Sequence, residues 1–222
     1  MLEFPLNYFN ERKINLGKIL TIVNLLIEEL KKEFFSKILP RISSIKDETS
    51  RFLYFLAWLN TRLEERSLGR IIIVGGFAVE VYTGATYRTL DVDIIVEGEN
   101  SATVVREFLK EICGEEGKVL IPKLKPLATK GVDIVGRSFI ESKEPNVLKI
   151  NSFKVYLESV EELVVKYLCA WKYWMSDEDR SKAFILVKVY WNKLNIEYLY
   201  KRAREEDVLD KLEECLKALG IR

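Results

Sequence analysis

At 222 residues the chain is long enough to bury a substantial core, as one domain with an appendage or as two small domains. Its 35 Lys and Arg against 34 Asp and Glu leave a net charge of +1, and no segment is basic enough to announce duplex nucleic acid electrostatically. The sequence contains no histidine, which removes a zinc site and every His-dependent acid–base or triad mechanism.

Cys113, Cys169 and Cys215 are far apart, fall in helical patterns and lack metal-ligand spacing. They read as buried, reduced thiols with no disulfide partner, in a cytoplasmic protein. The start of the chain has no signal-peptide layout, and no apolar run approaches membrane-spanning length, so no membrane partner is expected. Gln is absent while Lys, Glu and Ile are plentiful, a bias that fits a thermophile.

Apolar positions recur with helical spacing over 14–38 (Ile19, Ile22, Val23, Leu26, Ile27, Leu30, Phe34), and Pro40 is expected to stop that helix. A second helix over 47–66 has Phe52, Phe55, Leu56 and Leu59 as its face and Asp47 as its cap. Strand 70–74, a helix from Gly76 to about Thr83 and strand 90–96 follow. Gly98 and Asn100-Ser101 turn the chain into helix 102–113. GEEGK reads as a loop leading to a short strand near 118–121. Residues 131–135 are another strand, and 147–150 with 153–157 form a hairpin about Asn151-Ser152. From Ser159 the pattern is helical to the end, with breaks near Ser176 and Asn195. The expected class is α/β (α+β). It consists of an N-terminal helical segment (1–68), a central mixed sheet (69–157) and a C-terminal helical bundle (158–222).

The stretch 71–94 carries the chemistry. A β-branched run ends in Gly75-Gly76 at the mouth of a helix, where backbone N–H groups can approach a phosphate. The next strand carries Asp91 and Asp93, two residues apart and therefore on one face. Two such carboxylates repel unless a hard cation such as Mg²⁺ lies between them. Val92, Ile94, Ile95 and Val96 make this strand largely buried, so unpaired acids on it are costly. Phosphate cradle plus metal-binding acids reads as nucleotide chemistry. The bland alternatives are an ordinary strand-to-helix turn at the glycines and a solvated polar face at the acids. Asp133, in the strand 131–135, can also pair with Lys130 or Arg137. Lys118, Lys123, Lys125 and Lys130 read as a solvated loop, and Leu163, Val164, Tyr167, Leu168 and Trp171 as a core stripe.

Gly75-Gly76, Asp91-Val92-Asp93 and Val132-Asp133-Ile134, in this order, resemble the signature of the DNA polymerase beta-like nucleotidyltransferase superfamily. The intervening TGATYRTLDVD resembles the lincosamide, aminoglycoside and AbiEii-like toxin nucleotidyltransferases, in which an Arg and a Thr precede the first acid. YLESVEELVVKYLCAWKYW is similar to a strand-to-helix junction of the AbiEii-like group. The resemblance covers roughly residues 70–175. It implies Mg²⁺ or Mn²⁺ held by Asp91 and Asp93. Asp133 would complete a second metal site or take the acceptor's proton. Gly75 and Gly76 would meet the phosphates of an NTP, Arg88 would neutralise phosphate or brace the acidic strand, and Lys166 would reach a phosphate. The implied reaction moves a nucleoside monophosphate from an NTP to a hydroxyl. The acceptor is a tRNA or protein, as in toxin–antitoxin enzymes with a cognate antitoxin, or a small antibiotic-like molecule. A non-catalytic nucleotide-binding or interaction module with this fold is the remaining alternative.

Overall fold

The computed structural model describes residue 21, residues 23–116 and residues 119–221, with residues 114–122 by backbone alone. The expected helical positions Ile19 and Ile22 lie outside the described side chains.

Residues 23–33 are helical (α1), with Val23, Leu26, Ile27 and Leu30 buried. The stop expected at Pro40 does not occur. The chain passes through one π-helical turn, Phe34–Ile38, in which the Leu39 N–H donates to Phe34 O, and continues as α2, Leu39–Ser44. The wider turn places the proline at the start of α2, where its missing N–H leaves no gap in the ladder. Asp47 caps α3, Glu48–Glu64, by accepting from the Ser50 N–H at 2.7 Å.

Strand β1 is Arg70–Ile73, followed by α4 (Gly75–Tyr82), β2 (Asp91–Glu97) and α5 (Ser101–Ile112). The segment expected to be a loop at GEEGK instead contains a strand, β3 (Cys113–Glu116), paired antiparallel with β4 (Val119–Pro122). Backbone pairing with a neighbour made this strand, against a local composition of Gly and Glu that favours a loop. Cys113 thus opens a strand rather than lying in a helix. β5 is Gly131–Gly136, and β6 (Asn146–Ile150) and β7 (Phe153–Leu157) form the expected hairpin, with Asn151 at φ +54° in its turn.

Among the described residues seven strands form one mixed sheet in the order β3-β4-β5-β2-β1-β7-β6. β2 pairs antiparallel with β1 and parallel with β5, and β1 pairs parallel with β7. β2 is thus the central strand. Along it Val92, Ile94 and Val96 are fully buried, while Asp91, Asp93 and Ile95 alternate to the other face. α3 and α5 meet over the sheet through Phe34, Phe55, Trp58 and Phe108, whose ring centroids lie 5.7–6.5 Å apart.

Four helices complete the chain: α6 (Val160–Trp174), α7 (Asp177–Tyr190), α8 (Ile196–Glu205) and α9 (Leu209–Ala218), with a 3₁₀ turn, Trp191–Lys193, between α7 and α8. Ser159, Ser176 and Asn195 cap α6, α7 and α8 with their side chains, so the breaks fall where a side-chain oxygen can serve the free N–H groups of a helix start. One continuous hydrophobic core runs from α1 to α9. Among the described residues no helix is long and apolar enough to cross a membrane.

Candidate active site

The glycine turn and the acids meet because of strand direction. β1 ends where β2 begins, and Val74 N–H donates to Asp93 O at 3.1 Å, fastening the turn to the acidic strand. β5 runs parallel to β2 in register, with Asp91 opposite Gly131 and Asp93 opposite Asp133. Asp91, Asp93 and Asp133 therefore share one end of the sheet with Gly75. Burial pushes the Asp93 carboxyl above the ordinary range, and the charges of Asp91 and then Asp133 push it further.

Gly75 adopts φ +61°, and a Cβ there would stand 2.5 Å from Asp93 Oδ2. Only glycine fits both demands, the left-handed backbone and the close carboxylate. At Gly76 a Cβ would lie 3.2 Å from Thr89 Oγ1. The start of α4 is thus kept bare beside the acids, with its first N–H groups free of Cβ cover.

A buried network holds the approach to Asp91. Glu80, the one acid in the otherwise apolar α4, is fully buried. It accepts from the Thr89 N–H at 2.9 Å, Thr49 Oγ1 at 2.6 Å and Lys130 Nζ at 2.9 Å. Burial opposes its ionisation, but these bonds outweigh that, and its carboxyl lies below the usual range. Lys130 also pairs with Glu48 at 3.0 Å and donates to Thr89 O. Only 2 % exposed, Lys130 is a structural cation and not part of a solvated loop. It reaches Glu80 because β5, which it precedes, starts beside Leu90, whose carbonyl accepts the Gly131 N–H at 2.8 Å.

Arg88 turns to this same network, donating to Thr49 Oγ1 at 3.1 Å and pairing with Glu80 at 3.4 Å, its side chain half exposed. Lys166 reaches the same end of the sheet from α6. Its ammonium is held by Glu158 at 2.5 Å and Glu141 at 2.7 Å. Glu158 follows β7 and is fully buried, and its backbone N–H donates to Ile73 O at 2.9 Å. Burial raises its pKa.

Sequence reasoning missed Lys182 on α7. Its ammonium pairs with Asp179 at 2.8 Å and Glu178 at 2.9 Å, and lies 5.5 Å from the Tyr87 ring and 5.2 Å from the Tyr167 ring. No spacing links it to the acids; only the turn at Ser176 returns it to them. Glu80 had a signal, since a lone acid in a short apolar helix demands a buried partner. A cleft of about 470 Å³ opens between α6, α7 and α8; its walls include Val165, Lys166, Tyr167, Trp174 and Asp179, and none of Gly75, Gly76, Asp91, Asp93 and Asp133.

Asp91, Asp93 and Asp133 offer only hard oxygen donors, with charge that no cation among their strand neighbours neutralises, and this chemistry fits a divalent cation such as Mg²⁺. As they stand, no three metal-ligating side chains among the described residues converge on one point.

No protein-family model matches the chain, and no curated protein is similar to it in sequence. Among solved structures, an antigenic nucleotidyltransferase-like protein from Paracoccidioides brasiliensis superposes with a TM-score of 0.53 at 16% identity, over 78% of this chain and 94% of that one. The fold is that of a nucleotidyltransferase. Two structures of ANT(2'')-Ia are also similar. One, in complex with adenylyl-2''-tobramycin, has a TM-score of 0.48 at 13% identity, over 72% of this chain and 98% of that one. The other, in solution, has a TM-score of 0.40 at 15% identity, over 68% and 89%. Within this nucleotidyltransferase fold, the glycine turn and the β2 and β5 acids lie at one end of the sheet, and the cleft lies on the side of the C-terminal helices.

Proposed function

We propose that the chain is a metal-dependent nucleotidyltransferase that moves a nucleoside monophosphate from an NTP to a hydroxyl acceptor and releases pyrophosphate. The observation that carries this reading is the in-register pair Asp93 and Asp133, with Asp91 beside them, set against a glycine whose Cβ would collide with Asp93. Asp91, Asp93 and Asp133 would hold Mg²⁺ or Mn²⁺. When bound, such an ion neutralises charge developing on the transferred phosphoryl group and its neighbouring oxygens.

The chain's own groups have separate tasks. The first N–H groups of α4, bare at Gly75 and Gly76, face an anion with the positive end of the helix. The Glu80–Lys130 network fixes Thr89, and with it the position at which Asp91 enters β2. With no histidine in the chain, a carboxylate would take the acceptor's proton, and Asp133 would serve in that role if it does not complete the second metal site.

An acceptor on tRNA or protein, in a toxin–antitoxin setting, follows from the resemblance of the segment after Tyr156. A small-molecule acceptor is the second reading, favoured by the resemblance of the Gly75-Gly76 turn followed by Arg88-Thr89-Leu90-Asp91 to the antibiotic-modifying enzymes. Incubation with each labelled NTP and Mg²⁺ or Mn²⁺, against tRNA, cell protein and small polyhydroxylated compounds, tests both readings. Label on one class identifies the acceptor, and Asp93→Asn abolishes it while the protein stays folded. No transfer to any class with any NTP would sink the proposal.

A further inference from the structure

Lys166 and Lys182 both approach the site, but their surroundings differ. Lys166 is clasped by two carboxylates, one of them fully buried and fixed at the end of β7. Lys182 faces the glycine turn. Its ammonium lies over the Tyr87 ring, and the Tyr87 hydroxyl stands 3.6 Å from where a Gly76 Cβ would be.

A second feature points to a ligand at the same place. The Tyr167 ring flanks Lys182, and the residue is 8 % exposed. Its buried hydroxyl takes no hydrogen bond among the described residues, and the residue is part of the cleft wall, as is Asp179. Such a group ordinarily finds a partner.

The occupant of the remaining space is informative. One carboxylate oxygen, Glu178 Oε1, accepts from the Tyr87 hydroxyl at 3.0 Å and pairs with Lys182 Nζ at 2.9 Å. An oxyanion held by a tyrosine hydroxyl and an ammonium, beside a bare helix start, is the arrangement a phosphate oxygen requires. The Glu178 side chain is 69 % exposed, so solvent can receive its carboxylate at little cost, whereas Asp179 is more enclosed.

We propose that Lys182 is the lysine that contacts the nucleotide's triphosphate, with a phosphate oxygen replacing the Glu178 carboxylate between Tyr87 and Lys182. The proposal rests on the nucleotidyltransferase reading above for the identity of the nucleotide, though not for the polyphosphate site itself. Lys166 is then a positioning residue that neutralises Glu158 and Glu141.

Calorimetric titration of the full chain with Mg²⁺ and, separately, ATP, GTP, CTP, UTP and tripolyphosphate tests this. Wild-type protein binds tripolyphosphate and at least one NTP. Lys182→Ala weakens both by about tenfold or more, the loss expected for a charge-assisted contact. Affinity for the corresponding nucleoside, which lacks phosphate, is unchanged. Lys182→Arg retains most of the binding. Glu178→Gln, an exposed change that leaves the fold intact, tightens polyphosphate binding by removing the competing anion, and it tests the site even if Lys182→Ala fails to fold. Equal binding by wild-type and Lys182→Ala protein overturns the assignment, as does a folded wild-type protein that binds neither tripolyphosphate nor any NTP. Lys182-dependent polyphosphate binding without nucleotidyl transfer removes the enzymatic reading and upholds this one. Transfer that is indifferent to Lys182→Ala does the reverse.

Discussion

Asp93 and Gly75 constrain one another. The carboxyl is partly buried, repelled by two acids and pushed upward in pKa, and the glycine leaves it room. A carboxyl whose folded pKa exceeds its unfolded one costs stability at neutral pH, and the cost disappears as pH falls through the carboxylate range. Asp93→Asn is therefore expected to raise the melting temperature at pH 7, with the difference closing in acid; thermal melts across pH measure it. Gly75→Ala has the opposite sign. A Cβ at φ +61° costs about 1–2 kcal/mol for the left-handed backbone alone, and the contact with Asp93 adds to it, so urea unfolding shifts to lower concentration. At this scale Gly75, Gly76, Asp91 and Asp93 stood out because their spacing is local. Lys182 was not, because a helix reversal at Ser176 brings it back, and nothing in the residue itself records that.

At the scale of elements, local chemistry set most boundaries. Asp47, Ser159, Ser176 and Asn195 each supply a side-chain oxygen at the break the pattern suggested. Ser176→Ala is expected to cost about 1 kcal/mol as a lost cap, and to disturb the start of α7 that carries Lys182. The β3 strand was illegible because it depends on pairing with β4 more than on its own residues, and the π turn because it lets the helix pass Pro40 without a break. The Glu80–Lys130 pair joins α4 to the start of β5. Removing Lys130 leaves the buried Glu80 charge with only the half-exposed Arg88 and neutral donors, and Lys130→Ala should cost about 3 kcal/mol by chemical unfolding. The double change Glu80→Met with Lys130→Met should cost less than Lys130→Ala, because it buries no charge. Glu80 lies below its ordinary pKa, so its contribution is present at neutral pH and fades as acid protonates it, the reverse of Asp93.

Over the whole molecule, the N-terminal helices are tied to the sheet layer by packing and charge. Phe34, Phe55, Trp58 and Phe108 join α3 and α5 through the π turn, while Glu33 pairs with Arg62 at 2.6 Å and Lys31 with Glu111 at 2.9 Å. Phe108→Ala is expected to cost about 3–5 kcal/mol, and to lower one cooperative transition rather than separate two, which calorimetry would resolve. The sequence by itself determined the class of the fold and the order of its helices and most strands, and it picked out glycines and acids as candidates for one site. Those features follow from periodicity and short spacing, which act along the chain. Only the tertiary structure decided that Asp133 stands in register with Asp93, that Lys130 and Arg88 turn to Glu80, that Lys166 is held between carboxylates, and that Lys182 faces the glycine turn. Apart from Arg88 with Glu80 and Lys166 with Glu158, which are close along the chain, these depend on strand order and helix return, and pairwise attraction in a buried space leaves no trace in local spacing.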